Sequence, residues 1–357
     1  MILCLVGGFL GSGKTTAVAT AAKMFARENI PLAVITNDQG SQLVDAAFID
    51  ALNISGSQVT NGCFCCNYDQ FCSAVEHLKN SLTPRLIFAE AVGSCADLVA
   101  TIVKPLNRFH PEIGISLSVF VDGPVLLSSI KGRSSFVSSD IQYIYKKQLE
   151  EAGLIVVNKC DLLAEDEIKK IHPILESEYP GRKILFQDSR DEALVKKWMD
   201  IIPKTINGKD LSALSIDYDK YGAGEAALAW LDASIIIHSK QRAIDKAYAF
   251  INEMVAEISF QKFAIGHLKF FLESGGWQRK ISYTSALNLK LDRAPADIIA
   301  DHVRVLVNAR AETDPDRLKK IFYQTIQKIQ NQNCHAEISD VASFRPGYPK
   351  PTHRMTE

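Results

Sequence analysis

The sequence predicts an α/β protein built on a doubly wound, mainly parallel sheet, with a smaller α+β domain after it. Short apolar runs alternate with helical patterns through residues 1–205. A glycine-rich turn joins the first apolar run to the first helical pattern, and beyond residue 224 the order changes to one strand, a long helix and several β-like runs. Alternation of strand and helix implies right-handed crossovers and a sheet covered on both faces, whereas the later order does not.

The predicted strands are 2–6, 32–36, 86–89, 117–121, 154–157 and 184–186. Each reads as a continuous apolar run, as parallel strands buried on both faces do. Helical spacing marks 68–79, with Phe71, Val75 and Leu78 on one face, and 165–178, with Ile168, Ile171 and Leu175. Asn207-Gly208 and Gly222-x-Gly224 mark a linker over 206–224. Then follow a strand at 234–238, a helix over 241–258, and β-like runs at 267–272 and 280–283. A last strand at 303–307 precedes a helix opened by Asp314-Pro315, a capping residue followed by proline at the first helical position. The domains are therefore 1–205, the linker 206–224, the α+β domain 225–330, and a polar tail 331–357 expected to be mobile.

Of 357 residues, 47% are hydrophobic and 23% charged, the balance of a soluble globular chain. With 40 basic and 41 acidic side chains the net charge is -1, which argues against a broad nucleic-acid or polybasic membrane-binding surface. The apolar run that opens the chain is too short for a signal-peptide core, and no other approaches a membrane span. A cytoplasmic protein is expected, with no nucleic-acid or membrane partner. In that reducing setting, clustered cysteines read as metal or redox groups rather than disulfides.

Gly8-Phe9-Leu10-Gly11-Ser12-Gly13-Lys14-Thr15 fits the P-loop pattern G-x-x-x-x-G-K-[ST], between a buried strand and the helical stretch 16–25. Gly8, Gly11 and Gly13 let the loop bend so that backbone N–H groups, Ser12 included, converge on phosphate. Lys14 is placed to neutralise the β- and γ-phosphates and serve catalysis, and the Thr15 hydroxyl to sit on Mg²⁺. Thr16 joins them among the nucleotide-binding positions. The run 153–157 ends in Asn158-Lys159-Cys160-Asp161, an N-K-x-D that reads guanine. Asp161 can accept from both N1–H and the exocyclic amine of guanine, Lys159 can lay its stem over the ring, and Asn158 can tie base and loop together. A site built around such buried pairs rejects a base that leaves them unpaired, so GTP is the expected ligand. Ser189 is a weaker candidate for a second base contact.

Two predicted strands end in a carboxylate, Glu90 and Asp122. Either could reach Mg²⁺ at the carboxyl ends of the strands. Pattern alone favours Asp122, while the Glu90-x-x-Gly93 spacing offers the Gly93 N–H as a sensor of the γ-phosphate. Asp38 and Asp45 are further candidates, and at least one of the four is expected to be an ordinary capping or surface residue. Cys63-Phe64-Cys65-Cys66 places three thiols just before a helix, where the dipole favours thiolates. Three soft ligands suit Zn²⁺, Cu(I) or Co²⁺, with Cys72 or Cys95 nearest for a fourth position. Cys4 and Cys160 read as packing residues.

The order of these motifs (the P-loop, Asn37-Asp38-Gln39-Gly40, Cys63-Phe64-Cys65-Cys66, Glu90-x-x-Gly93 and Asn158-Lys159-x-Asp161) resembles that of the CobW family, metallochaperone-type GTPases related to UreG and HypB. The resemblance covers residues 1–205 well and the second domain loosely. It implies that Lys14, Thr15, Asp45 and Glu90 serve phosphate and Mg²⁺, which selects Glu90 over Asp122. It implies that Cys63, Cys65 and Cys66 hold Zn²⁺ or Co²⁺ in a manner coupled to GTP state. The implied activity is a GTPase, slow without metal or partner, that delivers metal to a client metalloenzyme, with a homodimer as a further possibility. The alternative is a regulatory GTPase that loads or protects a metal- or corrinoid-dependent client, its cysteines structural. The chain departs from the family at Asp38, where Glu is usual, at Ala91-Val92, where Thr-Ser is usual, and in having no histidine-rich loop.

Overall fold

A computed structural model describes the chain except for residues 38–43, 53, 61, 134–135, 207–210 and 285–290. Asp38, Gln39-Gly40 and Asn207-Gly208, singled out above, lie outside the described residues. Two compact units result: Met1–Gln39, Ile49–Gly224 and Tyr348–Glu357 form the first, Gly40–Phe48 and Glu225–Gly347 the second. Among the described residues no helix is long and apolar enough to cross a membrane.

The first unit is built on strands β1 (Ile2–Gly7), β2 (Leu32–Asn37), β3 (Gly56–Val59), β4 (Leu86–Glu90), β5 (Gly114–Asp122), β6 (Leu154–Asn158) and β7 (Lys183–Gln187). Their order across the sheet is β3-β2-β4-β1-β5-β6-β7, and every pairing is parallel. β1 lies at the centre, and its Leu3, Cys4, Leu5 and Val6 are fully buried. Burial on both faces is why the strands carry unbroken apolar runs. β3 is the exception: at the edge it reads Gly-Ser-Gln-Val, half exposed, and gives no apolar signal. Helices then cover the faces. On the helix Glu192–Ile201, capped by the Asp191 side chain, Trp198 is fully buried against Phe88 (ring centroids 5.0 Å apart) and Phe120 (5.1 Å). Its indole N–H donates to Ser118 Oγ at 3.0 Å, so the one polar atom of this large side chain is satisfied inside the core.

The second unit is an antiparallel sheet of β8 (Leu228–His238), β9 (Ile265–Ser274), β10 (Trp277–Tyr283), β11 (His302–Glu312) and β12 (His335–Phe344), in the order β10-β9-β11-β8-β12. The helices Ala243–Phe260 and Pro315–Ile329 share its apolar core. Asp314 caps the second of them by accepting from the Asp316 N–H, as the Asp-Pro pair predicts. β8 and β11 also carry buried polar side chains: Arg310 Nη1 donates to Asp232 Oδ1 at 2.6 Å, and its guanidinium lies 3.9 Å from the Trp230 ring centroid.

Two expectations are corrected. Residues 331–357 are not a mobile tail, because β12 pairs with β8 and Tyr348–Glu357 belongs to the first unit. β12 is held through its backbone, and the last ten residues by scattered main-chain and side-chain hydrogen bonds, so composition alone read both as unstructured. The linker 206–224 likewise runs into a helix, Tyr218–Ala226.

Trp198→Ala is expected to cost about 3–5 kcal/mol, the range for deleting a fully buried aromatic side chain. Urea denaturation followed by far-UV circular dichroism measures it, and a cost below ~1 kcal/mol would show that the interlayer core does not depend on this residue.

Candidate functional site

The phosphate loop follows β1 directly. Gly8 has a φ of 117°, and a β-carbon there would come within 2.0 Å of the Phe120 carbonyl oxygen, so no other residue fits. Gly13, at φ 92°, opens the helix Lys14–Arg27. Lys14 is buried and its Nζ donates to the carbonyls of Gly8 (2.6 Å) and Phe9 (3.2 Å), which keeps the ammonium folded along the loop. Ser12 Oγ is buried and has no hydrogen-bond partner among the described residues, as expected of a group facing a phosphate. Thr15 Oγ1 donates to Glu90 Oε1 at 2.8 Å, across the neighbouring β1 and β4. A hydroxyl and a carboxylate that converge in this way form the oxygen donor set a hard divalent cation takes, so both residues fit a Mg²⁺ ion.

The base loop is organised around Asn158. Its Nδ2 donates to the Ser12 carbonyl at 2.7 Å, and its Oδ1 accepts from the Ser189 N–H (3.0 Å) and hydroxyl (2.8 Å). Thr20 Oγ1 donates to the Ser189 carbonyl at 2.7 Å, so phosphate loop, β6 and the turn after β7 are tied together. Ser189 is therefore a brace for Asn158. Lys159 has a φ of 61°, and its ammonium pairs with Asp122 Oδ2 at 2.6 Å. Asp122 also caps the next helix by accepting from the Val125 N–H at 3.1 Å. It is thus a capping residue, and it also pairs with Lys159. A cavity of about 250 Å³ is lined by Gly13, Thr16, Lys159, Asp161, Ser189 and Arg190. Arg190 Nη2 donates to Asp161 Oδ2 at 2.6 Å and holds it from the solvent side.

Asp45 departs from expectation. Within the second unit its Oδ1 accepts from Lys280 Nζ at 2.7 Å and its Oδ2 from Lys269 Nζ, and Lys280 lies 4.5 Å from the Phe48 ring centroid. Burial alone would raise the Asp45 carboxyl, but the two lysines outweigh it and hold it well below the usual carboxylate range. A carboxylate neutralised by two ammonium groups is not the Mg²⁺ ligand that the resemblance implied, and nothing in its local sequence announced lysines from β9 and β10.

The cysteine loop is pinned by Asn37 at the end of β2. Its Nδ2 donates to the carbonyls of Val59 (3.0 Å) and Gly62 (2.8 Å), and its Oδ1 accepts from the Phe64 N–H (2.9 Å). Phe64 plugs into the core against Phe71, ring centroids 4.4 Å apart, which turns the flanking cysteines toward one another. Cys63 Sγ lies 2.9 Å from Cys65 Sγ and 3.1 Å from Cys66 Sγ, and all three sulfurs fall within 4.8 Å of one another. Hydrogen bonds from Cys65, Cys66 and Cys95 hold the Cys63 thiol well below its ordinary range, while those to Cys63 push Cys65 well above it and Cys66 up to about 11. Hydrogen bonds from the neighbouring sulfurs are the largest influence lowering Cys63, and burial opposes them. Of the two candidates for a fourth position, Cys95 touches Cys63, whereas Cys72 hydrogen-bonds the Tyr68 side chain.

Sequence reasoning missed Asn37 as a brace, and it missed Gln148. The Gln148 Nε2 donates to the carbonyls of Gly93 (3.0 Å) and Cys95 (2.7 Å), stiffening the loop after β4. Gln148 lies in a helix with no local feature to mark it. Asn37 opens the Asn37-Asp38-Gln39-Gly40 motif at a strand end, which marked the position but not its role as a brace.

A family model described as "CobW/HypB/UreG, nucleotide-binding domain" matches residues 2–186. Among curated proteins the chain is similar to the zinc chaperone CobW of Pseudomonas aeruginosa, 24% identical over 214 residues, which is 53% of this chain and 56% of that protein. It is also similar to zinc-regulated GTPase metalloprotein activator 1 of Dictyostelium discoideum, 22% identical over 213 residues, 51% of this chain and 44% of that protein. The chain thus spans about half the length of the curated relatives it matches. Among solved structures, HypB of Helicobacter pylori in complex with nickel is 16% identical with a TM-score of 0.43, covering 60% of this chain and 92% of that one. HypB of Archaeoglobus fulgidus is 18% identical with a TM-score of 0.41, covering 58% and 91%.

Because Asp45 has a depressed folded-state pKa, its stabilisation is fully present above about pH 4 and is lost as the pH falls through that pKa. Asp45→Asn should destabilise the second unit by about 2 kcal/mol at neutral pH. Calorimetric melting of both proteins should show that difference closing in acid, and equal midpoints at pH 7 would mean the lysine contacts contribute nothing.

Proposed function

The chain belongs to the CobW/HypB/UreG family, and from that membership we propose that it is a GTP-binding and GTP-hydrolysing metallochaperone that couples nucleotide state to the binding of a transition metal. The observation that carries the reading is the 90–97 loop. At its start Glu90 meets Thr15 of the phosphate loop, and five residues on Cys95 meets Cys63 of the thiol cluster. Gly93 lies so close to the phosphate loop that a β-carbon would approach the Leu10 N to 2.9 Å, and Gln148 grips the loop from the other side. A shift of Glu90 when the nucleotide changes would therefore be passed to the sulfurs.

In this reading Gly8, Gly11, Ser12, Gly13, Lys14 and Thr16 bind phosphate, with Lys14 also stabilising charge during hydrolysis. Thr15 and Glu90 would hold Mg²⁺, which would supply positive charge to offset that of the phosphates. Gly93 senses the γ-phosphate, and Asn158, Lys159 and Asp161 read guanine. Cys63, Cys65 and Cys66, with Cys95 as fourth ligand, take up the cargo, for which Zn²⁺ or Co²⁺ suits the sulfur donors. Delivery is to a client metalloenzyme.

Two measurements test this. Asp161→Ala should weaken GTP binding by tenfold or more, about 1.4 kcal/mol or greater, while leaving ATP binding unchanged. Equal losses for both nucleotides would remove the guanine reading. Zn²⁺ titrated in the presence of GDP and then of a non-hydrolysable GTP analogue should differ in affinity by about 5–150-fold, the usual span of coupling between sites. The serine variant at Cys63, Cys65 and Cys66 should lose Zn²⁺ but keep nucleotide, and wild-type Zn²⁺ affinities that ignore the nucleotide would contradict the proposal.

A further inference from the structure

We propose that the segment Tyr348–Glu357 is a strap that closes the thiol site, so that metal enters and leaves only when it lifts. The inference rests on the reading of Cys63, Cys65 and Cys66 as metal ligands. Sequence composition marked this stretch only as polar and proline-bearing, yet in the first unit it is laid directly across the cysteine loop. The Thr352 N–H donates to the Cys65 carbonyl at 2.8 Å and the Thr352 hydroxyl to the Cys66 carbonyl at 3.3 Å. The Lys350 main chain hydrogen-bonds the Cys66 thiol itself. His353 stands edge-on to Tyr68, the first residue of the helix that follows the cysteines, with ring centroids 4.8 Å apart.

Beneath the strap, Cys63 and Cys65 are 4% and 3% exposed, and Cys66 is the more open thiol of the three. A hydrated ion cannot reach sulfurs so covered, and the most accessible of them carries a strap N–H. Something must move for metal to pass. The strap is the element suited to move, because Lys350 and Thr352 are exposed and, among the described residues, only the Thr352 and Met355 N–H groups bond it to the rest of the unit backbone to backbone. Segments of that kind open at far lower cost than core strands.

The strap's charged latch is Arg354. Arg354 Nε donates to Asp97 Oδ2 at 2.7 Å, and the Asp97 side chain is 1% exposed. Tyr218 donates to the same oxygen at 2.8 Å, and Arg354 Nη2 reaches the Leu214 carbonyl at 2.8 Å. Beyond the latch, the Met355 N–H donates to the Ala100 carbonyl at 2.8 Å. Asp97 lies on the loop that carries Glu90 and Cys95, so motion of that loop and release of the strap are mechanically linked.

The test uses the full chain as wild type, Arg354→Ala, which removes the latch, Thr352→Pro, which removes the N–H donated to Cys65, and Arg354→Lys as the conservative control. Circular dichroism verifies that each is folded. Metal-free protein is treated with N-ethylmaleimide, and alkylation of Cys63, Cys65 and Cys66 is followed by mass spectrometry. Zn²⁺-loaded protein is mixed with a chromogenic chelator, and release is timed. Arg354→Ala and Thr352→Pro should each speed alkylation and Zn²⁺ release about tenfold, as loss of one charge-assisted or main-chain hydrogen bond allows, with the bound Zn²⁺ stoichiometry unchanged. Arg354→Lys should fall between them and wild type. Rates equal to wild type in both disrupting variants would overturn the strap. A wild type that holds no Zn²⁺ would overturn the ligand reading instead, whatever the alkylation rates.

Discussion

The hydrogen bond from Thr15 to Glu90 exists only because β1 and β4, far apart in sequence, are neighbours in a parallel sheet. Their register sets Val6 opposite Glu90, so the phosphate loop leaves β1 at the level where the carboxylate leaves β4. Parallel strands all end on the same side, and that side collects the loops that bear function. The same geometry places β2, which pairs with β4 in register from Leu32 opposite Leu86 to Thr36 opposite Glu90, so that Asn37 at its end can reach back and pin the cysteine loop. Nucleotide loop, carboxylate and thiols are thus three outgrowths of adjacent strand ends.

Buried amides do most of the positioning. Asn158 and Gln148 are almost fully buried; Asn158 carries three hydrogen bonds and Gln148 two, all to segments distant in the chain. Removing such a side chain leaves several backbone groups unsatisfied at once, so the penalty falls on geometry as much as on stability. The sulfurs follow a similar logic. Cys63 is lowered below the ordinary thiol range by the hydrogen bonds it receives from its neighbours.

The fold of the first unit was legible because its signals are local. Apolar runs mark buried strands, and the phosphate loop and N-K-x-D motif are continuous stretches whose chemistry demands contiguous residues. β3 escaped because an edge strand need not be apolar, β12 because backbone pairing leaves no trace in side-chain composition, and the strap because its side-chain anchors reach residues distant in sequence. At the site, the clustering of Cys63, Cys65 and Cys66 was readable from spacing, whereas the contact of Cys95 rather than Cys72 with Cys63 was not. It depends on β4 delivering the 90–97 loop beside the cysteine loop, a tertiary fact. Asp45 shows the converse error. A carboxylate read by its nearness to β2 is paired with lysines more than two hundred positions away, on β9 and β10.

Coupling through the 90–97 loop is tested most directly by the Zn²⁺ affinity of Cys95→Ala, measured with GDP and with a non-hydrolysable GTP analogue. Cys63, Cys65 and Cys66 should still hold the ion, so binding persists in a weakened form. The ratio of the two affinities should fall to about one, since the thiols would no longer be joined to the loop that meets the phosphate side. A ratio unchanged from wild type would contradict the account, because nucleotide state would then reach the metal by a route that does not pass through Cys95.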